Sequence, residues 1–340
     1  MTGGWLATSA ERLDRAISHF VADGAAPGAI AVSGTAEDMR VVSAGMVATG
    51  FAEVPPTVST RYDVASLTKI MVTWVLAGRA VEDGDLNLDK PVSSYLGPLT
   101  GPGSAVTARQ ILSHTTGLRS TTRFDQYLGR GVDLAELILG EDLEAQPGER
   151  LRYINRGFIL LGLALERVLG RGLDVLAREW FWLPWGMDRT TYGPLAPGAD
   201  VAPTERRLVG ARPAWGVVHD ESAALMGGVA GHAGVFSTAH DLARFARGVM
   251  ETSSAQTPLG AYVRDSFTVH ATDGLTRRGL GWIVVPETGV AYHHGFTGTS
   301  LYVSPATGRF VVVLSNAVFV SRDRQRLGVL RTEALRAMSD

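Results

Sequence analysis

Apolar residues recur at helical spacing near the start of the chain. Leu6, Leu13, Ile17, Phe20 and Val21 predict a helix over about Trp5–Ala22, with Ser9 as its cap. Pro27-Gly28 breaks it. Ala29–Ser33 and Met39–Ala44 then read as two short strands of a hairpin joined by Gly34–Asp38. Pro55-Pro56 opens an extended loop. The run Ile70, Met71, Val72, Trp74, Val75, Leu76 lacks strict alternation and predicts a buried helix. A turn and an extended piece follow over Glu82–Val92. Thr107–Leu118 predicts a short helix capped by Thr107 and ended by Gly117.

Further helices are expected near Asp133–Leu139, over Arg156–Leu169 up to Gly170, and over Leu173–Trp182 up to Pro184. Tyr192–Trp215 is rich in Pro, Gly and Ala and reads as irregular. Gly227–Gly234 is a glycine-dense loop without the Gly-Lys-Ser/Thr of a phosphate loop. Ser237 or Thr238 caps a helix through Met250. Strands return over Leu280–Val285, Val290–His293, Ser300–Ser304 and Arg309–Ser315, and a helix over about Asp323–Met338 closes the chain. The order predicts an α/β (α+β) fold: a mainly antiparallel sheet flanked by N- and C-terminal helices, with an inserted all-helical domain. The expected sheet domain is 1–65 plus 238–340, the helical domain 66–237, and the active site lies between them.

Composition narrows the chemistry. The 340 residues, 45% of them hydrophobic, suffice for a sizeable core. A net charge of −2 without a basic run gives no sign of a nucleic-acid partner. The chain has no cysteine, which excludes disulfides, thiol catalysis and thiolate metal sites. No His-Glu-x-x-His occurs, so no metal is expected, and nothing in the sequence calls for a cofactor. Charges arrive before an apolar signal core forms, and no apolar run reaches membrane-spanning length. The expectation is a cytoplasmic protein acting on a small molecule, its oligomeric state left open.

Candidate chemistry centres on Ser66-Leu67-Thr68-Lys69. On a helix, residues i and i+3 share a face, so the Lys69 amine reaches the Ser66 hydroxyl. Of the 32 basic residues only Lys69 and Lys90 are lysines. An arginine could not act as a base, so a lysine at this position is informative. Ser66 is the candidate nucleophile. Tyr153 and Asn155 lie just before the core helix: Tyr153 as a proton-transfer group, Asn155 to hold a substrate carbonyl or orient Lys69. His293-His294-Gly295-Phe296 lies between two strands. Its glycine permits close backbone approach, and the Phe296 N–H pairs with that of Ser66 as an oxyanion hole. A capped helix entry and a plain hairpin are the structural alternatives for these two motifs. His114 and His232 read as structural, and His219 with Asp220 as support for the site.

Ser66-x-x-Lys69, Tyr153-x-Asn155 and His293-x-Gly295 match, in order and spacing, the three motifs of serine β-lactamases and penicillin-binding proteins. The flanks Ile111–Leu118, Gly157–Gly162, Gly231–Thr238 and Gly279–Trp282 agree, and the resemblance covers nearly the whole chain. It is greatest to the class C β-lactamase-like esterases. It implies a site between the sheet and a helical domain. The family's β-lactam-directed enzymes mostly carry Lys-Thr/Ser-Gly in the third motif. Here His293 supplies less positive charge and His294 no hydroxyl, which points to the esterase branch.

The expected reaction is acyl transfer through an acyl-enzyme on an ester or amide. Lys69 or Tyr153 takes the Ser66 proton; the residues leave that choice open. Rival readings are an acyltransferase with the same residues, a D,D-peptidase or β-lactamase, and a non-catalytic binding protein on this scaffold.

Overall fold

The computed structural model describes residues 2–120, 126, 131, 133–206 and 212–339. The strands in chain order are β1 (Gly28–Gly34), β2 (Met39–Gly45), β3 (Tyr62–Asp63), β4 (Thr191–Tyr192), β5 (Val235–Ser237) and β6 (Ala271–Thr272). They continue with β7 (Arg277–Arg278), β8 (Ile283–Val285), β9 (Val290–His294), β10 (Ser300–Ser304) and β11 (Arg309–Ser315). The large sheet has the order β2-β1-β11-β10-β9-β8-β7-β6, and every pairing in it is antiparallel. β1 runs beside β11, with Ala29 opposite Ser315 and Gly34 opposite Phe310, so the two ends of the chain meet in mid-sheet as expected.

Both faces of this central pair are covered, which is why β1 and β11 are apolar at nearly every position. Ala29, Ala31, Val311 and Val313 face Leu13 and Ile17 of the N-terminal helix (Thr2–Ala22) and Leu327 and Leu330 of the C-terminal helix (Gln325–Ala337). The alternate residues Ile30, Val32, Val312 and Leu314 join the larger core, against the helix Ala239–Ser254. The two terminal helices are tied by Trp5 Nε1–H to Ala337 O (2.9 Å) and by Arg12 to Glu333 (3.0 Å). No described helix is long and apolar enough to cross a membrane.

A second, three-stranded sheet, β3-β5-β4, positions the site. It pairs Tyr62 with Ser237 and Phe236 with Thr191, and Val64 N–H extends the contact to Val235 O (3.0 Å). The residues before Ser66 are thereby fixed against β5, the strand that follows the glycine-dense segment. These strands were not expected. Two- and three-residue strands are too short to show a period of two.

Other expectations are corrected. Ser9 is fully buried inside the first helix, which begins at Thr2, and so does not cap it. The expected strand from Leu280 starts at Ile283, because Gly279–Trp282 turns with Gly281 at φ +83°. The helix capped by Thr107 ends at Leu112, short of Gly117. Its cap is a full capping box, with Gln110 answering Thr107. An unexpected helix, Pro258–Ser266, is capped by Thr257 with Pro258 at its first position. Thr238, not Ser237, caps Ala239–Ser254. Residues 207–211 of the segment expected to be irregular lie outside the described residues.

Candidate active site

Ser66 lies on a tight 3₁₀ turn, Ala65–Leu67, and Lys69 opens the wider π-helical turn Lys69–Trp74 that leads into the helix Val75–Glu82. The expected helix is present but changes pitch at the two reactive residues. Ala65 has φ +48°, an uncommon conformation for a residue with a Cβ. It is held there by its N–H donating to Asp63 Oδ1 (2.8 Å). Asp63 is buried, and its Oδ2 accepts the His219 N–H (2.7 Å).

Lys69 is fully buried. Its Nζ lies 3.0 Å from Ser66 Oγ, 2.9 Å from Asn155 Oδ1 and 3.2 Å from His232 O. Three acceptors thus meet the three N–H donors of an ammonium. The expected approach of Lys69 to Ser66 is present, and Asn155 Oδ1 accepts from Lys69.

Tyr153 stands 42% exposed at the mouth of the site, with Lys69 Nζ 5.0 Å and the Arg278 guanidinium 5.2 Å from its ring centre. Surrounding protein raises the phenol pKa. The Lys69 charge, hydrogen bonds with Lys69 and Ser66, and the Arg278 charge outweigh that and set it below the usual tyrosine value. The His114 ring packs on Tyr153 at 4.5 Å between centres, and His114 O accepts the Arg152 N–H (2.8 Å). His114 therefore shapes the Tyr153 loop. His232 contributes its carbonyl to Lys69 while its ring is held by Asp220 (2.8 Å).

The third motif is fastened directly onto the Ser66 turn. Thr297 Oγ1–H donates to Asp63 O (2.6 Å) and Thr299 Oγ1–H to Val64 O (3.0 Å). A Cβ at Gly295 would lie 2.3 Å from Val64 O and 2.0 Å from Thr299 Oγ1, so only glycine fits. Neither the Ser66 N–H nor the Phe296 N–H is taken by a backbone carbonyl among the described residues. The Phe296 ring lies between His219 (5.5 Å between centres) and the Arg324 guanidinium (3.7 Å).

His293 is buried, and its Nδ1 is 3.0 Å from His294 O. Burial first, then the Arg278 and Lys69 charges, push its pKa well below the ordinary histidine value. The sequence suggested a partly charged histidine; burial beside two cations favours the neutral ring. The cation stands instead at Arg278, which the sequence did not single out. It is 7% exposed, its guanidinium makes no hydrogen bond or ion pair among the described residues, and its Nη1 is buried without a partner. Nothing in its immediate sequence separates it from the other arginines. Arg324, Arg331, Asp63 and Glu205 were likewise not identified in advance. No described cluster of His, Asp and Glu suits a metal ion.

The Beta-lactamase family model matches residues 13–336. A putative D-alanyl-D-alanine carboxypeptidase of Salmonella enteritidis is 29% identical over 76% of this chain and 70% of its own. An N-acetylmuramyl-L-alanine amidase of Bacillus subtilis is 30% identical over 76% of this chain and 68% of its own. Among solved structures, EstCE1, described as a hydrolase with promiscuous acyltransferase activity, superposes with a TM-score of 0.75 at 20% identity. That match covers 96% of this chain and 98% of EstCE1. The low identity makes the last a likeness of fold. With the family model matching almost end to end, this chain belongs to the beta-lactamase family of serine hydrolases.

Proposed function

We propose that the protein is a carboxylesterase-type serine hydrolase that works through an acyl-enzyme on Ser66. The observation that carries this reading is the Lys69 amine, shared between Ser66 Oγ and Asn155 Oδ1 beside a Tyr153 of lowered pKa. Because three acceptors suit Lys69 as an ammonium, Tyr153 is the group that takes the Ser66 proton. Ser66 Oγ then attacks the ester or amide carbonyl. The Ser66 and Phe296 N–H groups hold the oxyanion, and Tyr153 returns the proton to the leaving group. Water, activated by Tyr153, frees the acyl group. An alcohol or amine in place of water would make the same site an acyltransferase.

A second reading rests on Arg278. A buried, unpartnered guanidinium beside Tyr153 suits a substrate carboxylate. That would fit an amide ending in a carboxylate, such as the D-alanyl peptides named for the Salmonella relative. The test compares kcat/KM for p-nitrophenyl butyrate, nitrocefin and a D-alanyl-D-alanine peptide in one buffer. The esterase reading expects the butyrate to lead; a leading peptide or nitrocefin overturns it in favour of the second. Product analysis with added alcohol separates hydrolysis from acyl transfer. If a fluorophosphonate fails to label Ser66, the nucleophile itself is wrong.

A further inference from the structure

The Gly295 carbonyl and the Phe296 N–H are the two ends of one amide. Arg331, on the C-terminal helix, donates from Nη2 to Gly295 O at 2.7 Å. Its neighbour Arg324 donates to the next carbonyl, Phe296 O, at 2.6 Å and lies against the Phe296 ring. We propose that Arg331 is a positioning residue for the oxyanion hole: its charge polarises the Gly295–Phe296 amide and so strengthens the Phe296 N–H as a donor. The inference rests on the reading above, in which that N–H faces the oxyanion.

The physics is amide resonance. The C–N bond has partial double-bond character, with electron density moved from nitrogen to oxygen. A cation hydrogen-bonded at the oxygen favours that polar form, which leaves the N–H more positive. Guanidinium is suited to the task because it stays charged in a protein interior. Burial and the neighbouring Arg324 both act to lower the Arg331 pKa, and its Nε is buried without a partner. No carboxylate pairs with it among the described residues. A partly buried cation without a carboxylate adds little to the fold, so stability alone gives no reason for it.

The surroundings also fix its position. Tyr302 on β10 donates its hydroxyl to Arg331 O (3.0 Å), and His294 Nε2 lies 3.1 Å from that hydroxyl. β9, β10 and the C-terminal helix are thereby linked at the residue whose guanidinium reaches the oxyanion amide. On the other side, the Thr297 and Thr299 hydroxyls fasten the loop to Asp63 and Val64. The amide is held from both sides, so charge at its oxygen is felt at its nitrogen without movement of the loop.

The test is the carbonyl stretch of the acyl-enzyme. Wild type, Arg331→Gln and Arg331→Lys are acylated with p-nitrophenyl [1-¹³C]butyrate, and isotope-edited infrared spectra are recorded during turnover. A stronger donor lowers the stretching frequency, so Arg331→Gln should move the band up. Its acylation rate should fall about tenfold with KM little changed, less than the hundredfold or more for losing a direct donor. Arg331→Lys keeps a charge on a shorter stem and should show a smaller shift of the same sign. It carries the test if the Gln variant does not fold. A band unmoved in a folded variant overturns the inference, even if rate is lost. If the wild type forms no acyl-enzyme on Ser66, the proposed function falls first.

Discussion

The Phe296 ring touches two regions of different electrostatic character. On the His219 side, basic side chains meet carboxylates. Glu205 receives His219 at 3.0 Å and Arg322 at 2.6 and 2.8 Å; Arg322 also reaches Glu221, and Asp220 holds His232. On the Arg324 side, the Arg278, Arg324 and Arg331 guanidiniums meet carbonyl oxygens and aromatic rings, with no carboxylate at ion-pair distance among the described residues. In the first region each of these basic groups has a carboxylate partner. The second keeps its positive charge for something that arrives, either the oxyanion or a substrate carboxylate. The difference teaches that in an arginine-rich chain the informative arginines are those drawn at least partly out of solvent without an acid at ion-pair distance.

The largest expected effect tests whether a working nucleophile stands where these regions meet. Ser66→Ala should remove p-nitrophenyl butyrate turnover while leaving the melting temperature near wild type; turnover within about tenfold of wild type removes Ser66 from its role. Lys69→Arg should be nearly as damaging. It keeps the charge, but a bulky planar fork cannot fill the fully buried place where one nitrogen meets three acceptors. Retained activity would mean that a cation of either shape serves beside Ser66 and that the three-acceptor fit is not needed.

Next in size is Arg278→Gln. If the guanidinium receives a substrate carboxylate, KM for a carboxylate-ended substrate should rise on the order of a hundredfold while a neutral ester is little affected. Equal losses on both substrates would mean that Arg278 works through Tyr153, whose ring it faces at 5.2 Å. That outcome would leave the comparison standing but remove substrate recognition from it.

The same comparison explains what the sequence could reveal. Ser66 and Lys69 were legible because spacing along one stretch determines their distance. The sheet was legible because β1 and β9–β11 are long enough to show pattern. Tyr153 and the His293–Phe296 segment became convincing only in combination with Ser66. Arg278 and Arg331 were not legible. Their meaning comes from which acids are missing around them, and that depends on chain segments far apart in sequence. Asp63 was hidden for a related reason: its work is done by two carboxylate oxygens reaching Ala65 and His219, one local and one remote. The charge state of His293 also could not be read locally, since burial beside Arg278 and Lys69 sets it.

The smallest expected effect separates the two regions by pH. The Arg322 fork first, opposed by burial and then helped by His219, sets the Glu205 pKa down from 4.5 to about 2. A carboxyl with a lower pKa in the folded state binds protons more readily when unfolded. Its stabilisation is therefore present above about pH 4.5 and is lost as pH falls through that value towards about 2. Arg322 is 52% exposed, so solvent screens the pair, and the contribution is on the order of 1 kcal/mol. Wild type should lose melting temperature over this window more steeply than Glu205→Gln, which cannot titrate there. Asp220, also held below its usual range by His232 against the effect of burial, titrates in both proteins and cancels in the difference. Arg331→Gln should leave the acid slope unchanged, because no carboxylate pairs with that arginine among the described residues. Parallel slopes for wild type and Glu205→Gln would show that the His219 side is not held by its ion pairs. A changed slope in Arg331→Gln would show that the arginine side feels an acid after all, and the contrast across Phe296 would fail.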